Sequence, residues 1–189
     1  MNRKEFLKKS MWLGISSGAL VVLNQSGGQL QAAAPSEEDV TRLKGDKQFV
    51  ENWLTDLLNT IGEELDEKTT VKLIEGCGRG CYQRHEFKRN LAKEGKGDLE
   101  KLLAAYRKIF GSVEREGNVV HIRFNSRQHG CYCPVLRERP SKINALHCHC
   151  HKGTHEAIFE AALGRPYKAE IVASVRRGDE QCHFKISLA

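Results

Sequence analysis

The chain has 189 residues, of which 40% are hydrophobic and 29% are charged. This composition is ordinary for a soluble globular protein, and about 155 residues, left after a removable leader, can form one domain whose core needs no disulfides. Half of the formal net charge of +6 lies in residues 1–34, and the rest has no long basic run, which argues against nucleic-acid binding.

The first 34 residues have the order of an export signal. A charged start is followed by an apolar run from Met11 to Leu23 and by three alanines at 32–34. At ~1.5 Å per residue this run is too short for a bilayer core of ~30 Å, which favours a cleaved signal peptide over the alternative, an uncleaved anchor. We therefore expect removal of residues 1–34 and export to the bacterial periplasm.

The charged start, NRKEFLKKS, resembles the twin-arginine export signal. Arg3 and Phe6-Leu7-Lys8 match that pattern, while Lys4 stands where a second arginine is expected. The resemblance implies that the export machinery is a transient partner and that the protein crosses the membrane already folded. The general secretion route is the alternative.

The mature chain begins with two predicted helices. Ser36 and Asp39 form a capping start, and apolar residues from Phe49 to Ile61 recur at steps of three and four. This pattern predicts an amphipathic helix that ends near Gly62. The next helix is predicted over Glu67 to Glu75 and ends at the glycine that follows.

The clearest predicted helix is GDLEKLLAAYRKIFG, with Asp98 as its cap and Gly111 as its stop. After it the apolar period changes to two in NVVHIRFN, which predicts a half-buried strand with His121 on the solvent side. A short helix is then predicted in THEAIFEAALG, with Thr154 as its cap and Gly164 as its stop.

The chain ends in a predicted hairpin. Residues 167–188 alternate on both sides of a turn at Gly178-Asp179, and this phase directs Cys182 inward and His183 to solvent. Together the elements predict an α+β fold, in which N-terminal helices precede an antiparallel sheet with one crossing helix. We expect a single domain over residues 35–189, helical in 35–116 and rich in cysteine and histidine in 117–189.

The segment LHCHCHKGTHE, residues 146–156, holds two cysteines and four histidines. Such a density of thiols and imidazoles is typical of a metal site, and zinc prefers four ligands of these types. We predict zinc, with an iron–sulfur cluster as the alternative. The preferred ligands are Cys133, Cys148, Cys150 and Cys182, with Cys131, His147, His149 and His151 as substitutes.

Two other interpretations of these cysteines stay open. An exported protein often pairs its cysteines, although seven is an odd number and would leave one thiol over. Cys182 could also be a small hydrophobic core residue, as buried cysteines often are.

A separate pair lies in EGCGRGCYQRH, residues 75–85. Cys77 and Cys81 would be neighbours on a helix, but the interleaved glycines favour a loop or a frayed helix end. The pair could join the later cysteines, form a disulfide or line a pocket. If the protein is an enzyme, Cys77, Cys81 and His85 are the candidate catalytic residues.

The C-terminal part, about residues 117–189, resembles the 4-vinyl reductase domains and the L-2-amino-thiazoline-4-carboxylic acid hydrolase-like proteins. The matching elements are Cys133-Pro134, the segment HCHCHKGTHEAIFEAALGRP, and the closing Gly178-Asp179-x-x-Cys182-x-Phe184. The resemblance implies an α+β domain around a small-molecule pocket, with a metal held by the four preferred cysteines.

Three functions follow from these observations. The first is an exported zinc-binding module that holds a small-molecule ligand. The second is a metal- or cysteine-dependent hydrolase acting on C–N bonds, as some members of the resembled group are named. The third is a redox, metal-handling or disulfide-stabilised periplasmic protein.

Overall fold

The computed structural model describes residues 36–124, 130–133 and 146–189. The predicted export signal and Pro134 lie outside these residues. The chain divides into two compact units, Met1–Asp46 and Lys47–Ala189. In the first unit, the description covers only residues 36–46, where the first helix begins. No helix in the described ranges is both long and apolar enough to cross a membrane.

The described residues form five α-helices and four strands. The helices are α1 (Glu37–Glu64), α2 (Glu67–Arg84), α3 (Glu86–Glu94), α4 (Leu99–Phe110) and α5 (Cys148–Leu163). The strands are β1 (Ser112–Glu116), β2 (Val119–Phe124), β3 (Lys168–Ala173) and β4 (Cys182–Ser187).

The four strands form one antiparallel sheet in the order β1-β2-β4-β3. Four helices precede the sheet along the chain, and α5 connects β2 to β3. The predicted α+β fold is therefore confirmed. Strand β1 was not predicted, because Val113 is its single buried residue and its sequence, SVERE, shows little apolar alternation.

Helix α4 agrees with its prediction at both ends. The Asp98 carboxylate accepts a hydrogen bond from the Lys101 backbone N–H at 3.1 Å, and Gly111 takes the positive φ of 79° that ends the helix. Such a capped helix can present an apolar face to the sheet. The core lies between this face, α5 and the sheet, and its largest fully buried side chains include Tyr106, Phe159 and Phe184.

Helix α2 is longer than predicted, since it continues through three glycines to Arg84. The prediction was wrong because glycine propensity alone favours a stop. A Cβ atom at Gly78 would lie 1.9 Å from the Cys150 carbonyl oxygen, and one at Gly153 would lie 2.4 Å from the Glu75 carbonyl oxygen. These two glycines let α2 and α5 approach closely, and Cys77 and Cys81 consequently lie on a helix, not in a loop.

Helix α5 begins at Cys148, six residues before the predicted cap at Thr154. The Thr154 hydroxyl instead donates, at 3.0 Å in each case, to the carbonyl oxygens of Gly78 and Cys150. The threonine therefore belongs to the α2–α5 contact. The cysteine- and histidine-rich residues before Thr154, which the predicted helix did not include, form the first turns of this buried helix.

The C-terminal hairpin is confirmed. Strand β3 pairs with β4, with Ile171 opposite Phe184. The connection contains a short 3₁₀ turn, Val175–Arg177, and ends at Gly178 with a φ of 93°. Cys182 lies on the buried face of β4, as its phase predicted.

Candidate functional site

The seven cysteines all lie within the described ranges, and no disulfide joins them. They come from four segments: two from α2 (Cys77 and Cys81), two from residues 130–133 (Cys131 and Cys133), two from the first turn of α5 (Cys148 and Cys150) and one from the start of β4 (Cys182). The structure therefore does not adopt the all-disulfide alternative.

The first turn of α5 separates these thiols into two groups. Successive residues of an α-helix are rotated by ~100°, so Cys148 and Cys150 point to nearly opposite sides. Cys148 faces Cys131 and Cys182, whose charges affect its pKa. Cys150 faces α2 and is affected by Cys133, Cys81 and Cys77.

The first group, which we call the buried thiol group, is Cys131, Cys148 and Cys182. These residues expose 7%, 5% and 7% of their surface. Burial, with smaller contributions from the neighbouring thiols of Cys182 and Cys131, raises the pKa of Cys148 to about 11. Burial likewise raises the pKa of Cys131. The thiols of Cys148 and Cys131 are therefore protonated at neutral pH.

Two residues of the β3–β4 connection contact the buried thiol group. The Ser174 hydroxyl, itself fully buried, lies 3.0 Å from the Cys148 sulfur and accepts a hydrogen bond from the Arg176 backbone N–H at 3.0 Å. The buried Arg176 guanidinium acts against the rise in the pKa of Cys131 and lowers that of His147. This connection gives the group one hydroxyl and one positive charge.

The second group, which we call the α2–α5 thiol group, is Cys77, Cys81 and Cys150. Cys133 lies beside both groups, since it affects the pKa of Cys150 and that of Cys131. Cys77 is exposed, while Cys81 and Cys150 are partly buried. Burial raises the pKa of Cys150 to about 12, with further contributions from Cys133, Cys81 and Cys77. This group reaches solvent, unlike the first.

Lys88 supplies the positive charge of the α2–α5 thiol group. Its ammonium donates a hydrogen bond to the Cys81 sulfur at 2.9 Å, although the residue exposes only 7% of its surface. The same charge lowers the pKa of His151 and His155. No carboxylate of the described chain forms an ion pair with Lys88.

Three histidines, His147, His151 and His155, follow one another at four-residue steps along one side of α5. Burial lowers their pKa to about 4, about 3 and about 3, respectively, so all three rings are neutral at pH 7. His155 Nδ1 lies 3.3 Å from the Tyr106 hydroxyl. Neutral imidazoles of this kind can donate a nitrogen lone pair to a metal ion.

Several imidazole nitrogens are buried without a hydrogen-bond partner among the residues described. They are His147 Nε2, His149 Nδ1 and His155 Nε2. A buried polar atom without a partner normally costs about 1–3 kcal/mol, so such atoms often mark a place where a ligand binds. His147 and His149 are both adjacent in sequence to Cys148. The charge of Arg176 affects the pKa of His147 as it does that of Cys131, whereas His149 is affected by Lys152 and Glu75 of the α2–α5 contact, so His147 is the one on the side of the buried thiol group.

The structure corrects the prediction for His121 and His183. Both were expected to be solvated on the outer face of the sheet. Instead His121 is buried, and its Nδ1 lies 2.9 Å from His183 Nε2. The two rings hydrogen-bond to each other across β2 and β4 because these strands are neighbours in the sheet.

The predicted ligands are brought to one end of α5, but not at coordinating distances. Within residues 36–124, 130–133 and 146–189, no set of three or more Cys, His, Asp or Glu side chains is spaced to hold a metal ion as it stands. Of the candidate catalytic residues, Cys81 contacts Lys88, Cys77 is exposed, and His85 is exposed with its ring beside Phe87.

One open depression is formed by residues of α2, namely Glu67, Lys68, Val71, Lys72 and Glu75. It contains none of the cysteines. Its link to the site is Glu75, which pairs with Lys152 of α5. A small-molecule pocket at the thiols therefore stays a prediction.

Residues 32–189 match a protein family described as a family of unknown function, DUF6144. The match covers most of the chain, so the protein belongs to this family. No curated protein matches this chain.

Among solved structures, the chain is similar to a vinyl-4-reductase family protein from Methanocaldococcus jannaschii. The two are 13% identical, with a TM-score of 0.31 over 71% of this chain and 93% of that chain. A similarity this low leaves the function to be argued from the site itself.

Sequence reasoning missed three residues of the site. Tyr106 looked like an ordinary residue of a predicted helix and Ser174 like a strand residue, while Lys88 lies in a helix, α3, that was not predicted individually. The one available signal was the four-residue spacing of His147, His151 and His155 in the sequence. This spacing predicts a shared helix face once the segment is assigned to a helix.

Proposed function

We propose that this protein binds a metal ion, preferably zinc, through the buried thiol group, with His147 as the fourth ligand. The observation that supports this is that three buried thiols from three separate segments affect one another, and that His147, next to Cys148 in sequence, has a buried Nε2 without a hydrogen-bond partner among the described residues. Zinc commonly takes three cysteines and one histidine. Cys131 and His147 thus replace Cys133 and Cys150 of the set expected from sequence.

The chemistry of these donors fits zinc. The imidazole is already neutral, and the three sulfurs are soft donors in an apolar surrounding. Because zinc binds thiolates, binding would release the protons of the thiols into solvent at neutral pH. The sulfurs would also have to move closer together, which segment 130–133 permits because it belongs to no helix or strand.

The role that follows is structural. Four protein ligands leave a zinc ion no open position for a water or a substrate, and such a closed site stabilises a fold. The ion would join β4, the first turn of α5 and segment 130–133. We therefore propose a binding module; export and a small-molecule ligand stay predictions.

The proposal is tested by zinc analysis of the full chain, expressed in the cytoplasm and purified without chelator. We expect about one zinc per chain, with a strong loss of zinc in Cys148→Ser, Cys182→Ser and His147→Asn, since each removes one of four ligands. Cys77→Ser is the matched control, because this exposed thiol lies outside the set and should leave zinc unchanged.

A chain without zinc or iron, or full zinc content in Cys148→Ser and Cys182→Ser, would contradict the proposal. Cys150→Ser distinguishes the two ligand sets. Zinc should persist in this variant if the buried thiol group binds it, and should be lost if Cys150 is a ligand. Iron with acid-labile sulfide would support an iron–sulfur cluster instead.

A further inference from the structure

Lys88 is the least expected residue near the cysteines. A buried ammonium is costly unless a negative charge or several hydrogen bonds compensate it. In the described chain, the nearest contact of the Lys88 ammonium is the Cys81 sulfur at 2.9 Å, and the Phe87 ring lies 5.7 Å away from it. No carboxylate of residues 36–124, 130–133 or 146–189 pairs with this lysine, whereas Lys152 and Arg79 of the α2–α5 contact each have carboxylate partners.

The sulfur of Cys81 is thus the group that can compensate the charge of Lys88. A thiolate is the nucleophilic form of cysteine, and a neighbouring lysine stabilises it. Helix α2 brings Cys81 to this place because Gly78, three residues earlier, packs directly on the Cys150 carbonyl. The position of the thiol is therefore fixed by backbone packing.

Cys81 can also be reached from solvent. It is partly buried, and the exposed Cys77 lies one helical turn before it. Cys81 therefore combines access with a positive neighbour, whereas the buried thiol group has no such access. In the described structure the hydrogen bond of Lys88 goes to Cys81 and not to Cys77.

We propose that Cys81 is a reactive thiol that forms a mixed disulfide with low-molecular-weight disulfides, and that Lys88 activates it. The Cys81 thiolate attacks one sulfur of the disulfide, a new S–S bond forms, and the bond of the small disulfide breaks. The leaving thiolate takes a proton from solvent, which replaces the proton that Cys81 gave up. One small disulfide is thereby converted to one thiol and one protein mixed disulfide.

This site is separate from the proposed zinc site. Cys81 and Lys88 belong to neither set of zinc ligands, so the two proposals can fail independently. Zinc content is measured in every variant below to keep them apart.

The test is the reaction of the full chain with glutathione disulfide, followed by intact mass and by peptide mapping of the modified cysteine. We expect the first glutathione on Cys81, and its loss in Cys81→Ser. Cys77→Ser is the matched control and should react at the unchanged rate, because this more exposed thiol lies on the same helix but lacks the lysine contact.

The role of Lys88 is tested by Lys88→Gln and Lys88→Arg. Loss of a charged hydrogen bond to the reacting sulfur should slow the initial rate by ~10-fold or more in Lys88→Gln. Lys88→Arg keeps the charge and should retain a rate within ~3-fold of the parent chain. This rescue separates activation from a loss of folding.

Modification of Cys77 before Cys81, or an undiminished rate in Lys88→Gln, would overturn the proposal. If Lys88→Gln fails to fold, the comparison of Cys81→Ser with Cys77→Ser still decides, because equal rates in these two variants would also overturn it.

Discussion

Cys148 and Cys150 are separated by one residue, yet they belong to different surroundings. Cys148 meets two buried thiols and the Ser174 hydroxyl on the core side of α5. Cys150 faces α2, where Lys88 brings a positive charge and Cys77 reaches solvent. The difference shows that two cysteines of one helical turn can have different neighbours, because they lie on opposite sides of the helix.

The largest expected effect comes from forcing α2 and α5 apart. In Gly78→Ala the new Cβ would meet the Cys150 carbonyl oxygen and the Thr154 backbone nitrogen, at 1.9 and 2.8 Å before any relaxation. Both contacts are backbone atoms, so the helices must separate. We expect the free energy of unfolding to fall by at least ~3 kcal/mol in chemical denaturation.

Gly76→Ala is the matched control two residues away. Nothing lies within 4 Å of a Cβ at Gly76, so the alanine should only improve helix propensity and stabilise the protein by ~0.5–1 kcal/mol. Equal stability of the two variants would show that the α2–α5 contact does not fix the thiol groups.

Gly76 and Gly78 also show which features of the fold could not be predicted from the sequence. The Asp98 cap, the stop at Gly111 and the inward phase of Cys182 are local patterns, and each was confirmed. The continuation of α2 past Gly76 depends on how closely α5 approaches Gly78, which no local pattern records. The same contact includes Thr154, which was predicted as the cap of α5, whereas the helix begins at Cys148.

The grouping of the site residues was likewise predicted only in part from the sequence. The sequence predicted that cysteines from distant segments belong to one site, and the structure brings these segments together at one end of α5. It could not predict which thiols share a side, because that depends on Cys148 and Cys150 lying on a helix. It also gave no sign of Lys88, which is notable because no carboxylate among the described residues pairs with it.

The second prediction tests whether water reaches the core side of α5. Burial lowers the pKa of His155 from 6.5 to about 3. Below pH 6.5 the unfolded chain therefore binds a proton at this residue, whereas the folded chain does not. Stability is therefore complete above pH 6.5 and falls as the pH drops from there toward about 3. The expected slope from this residue is ~1.4 kcal/mol per pH unit.

His155→Phe removes this titration and should flatten the dependence of the unfolding free energy on pH by that slope between pH 6 and 4. His85→Asn is the control, since this exposed histidine should leave the curve unchanged. An unaltered slope in His155→Phe would mean that the core side admits water and a proton.

The smallest expected effect concerns the hydroxyl beside Cys148. Ser174→Ala removes a buried partner of the Cys148 sulfur and of the Arg176 backbone N–H. We expect a loss of ~1–2 kcal/mol in unfolding free energy. The pKa of Cys148 should also rise further, because the serine hydrogen bond lowers it.

Ser112→Ala on the exposed edge strand is the control and should change stability by less than ~0.5 kcal/mol. If the two serine variants were equally stable, the hydroxyl would contribute nothing to the buried side, and the contrast between the two thiol groups would rest on burial alone.

The single residue between Cys148 and Cys150 places their two thiols on opposite sides of α5. Inserting one more residue there would turn the Cys-x-Cys into a Cys-x-x-Cys, whose two sulfurs share one helix face. The two sulfurs would then lie on one side of the helix, and α5 would supply no thiol to the other side. The spacing of these two cysteines thus decides how many thiols each side of α5 receives.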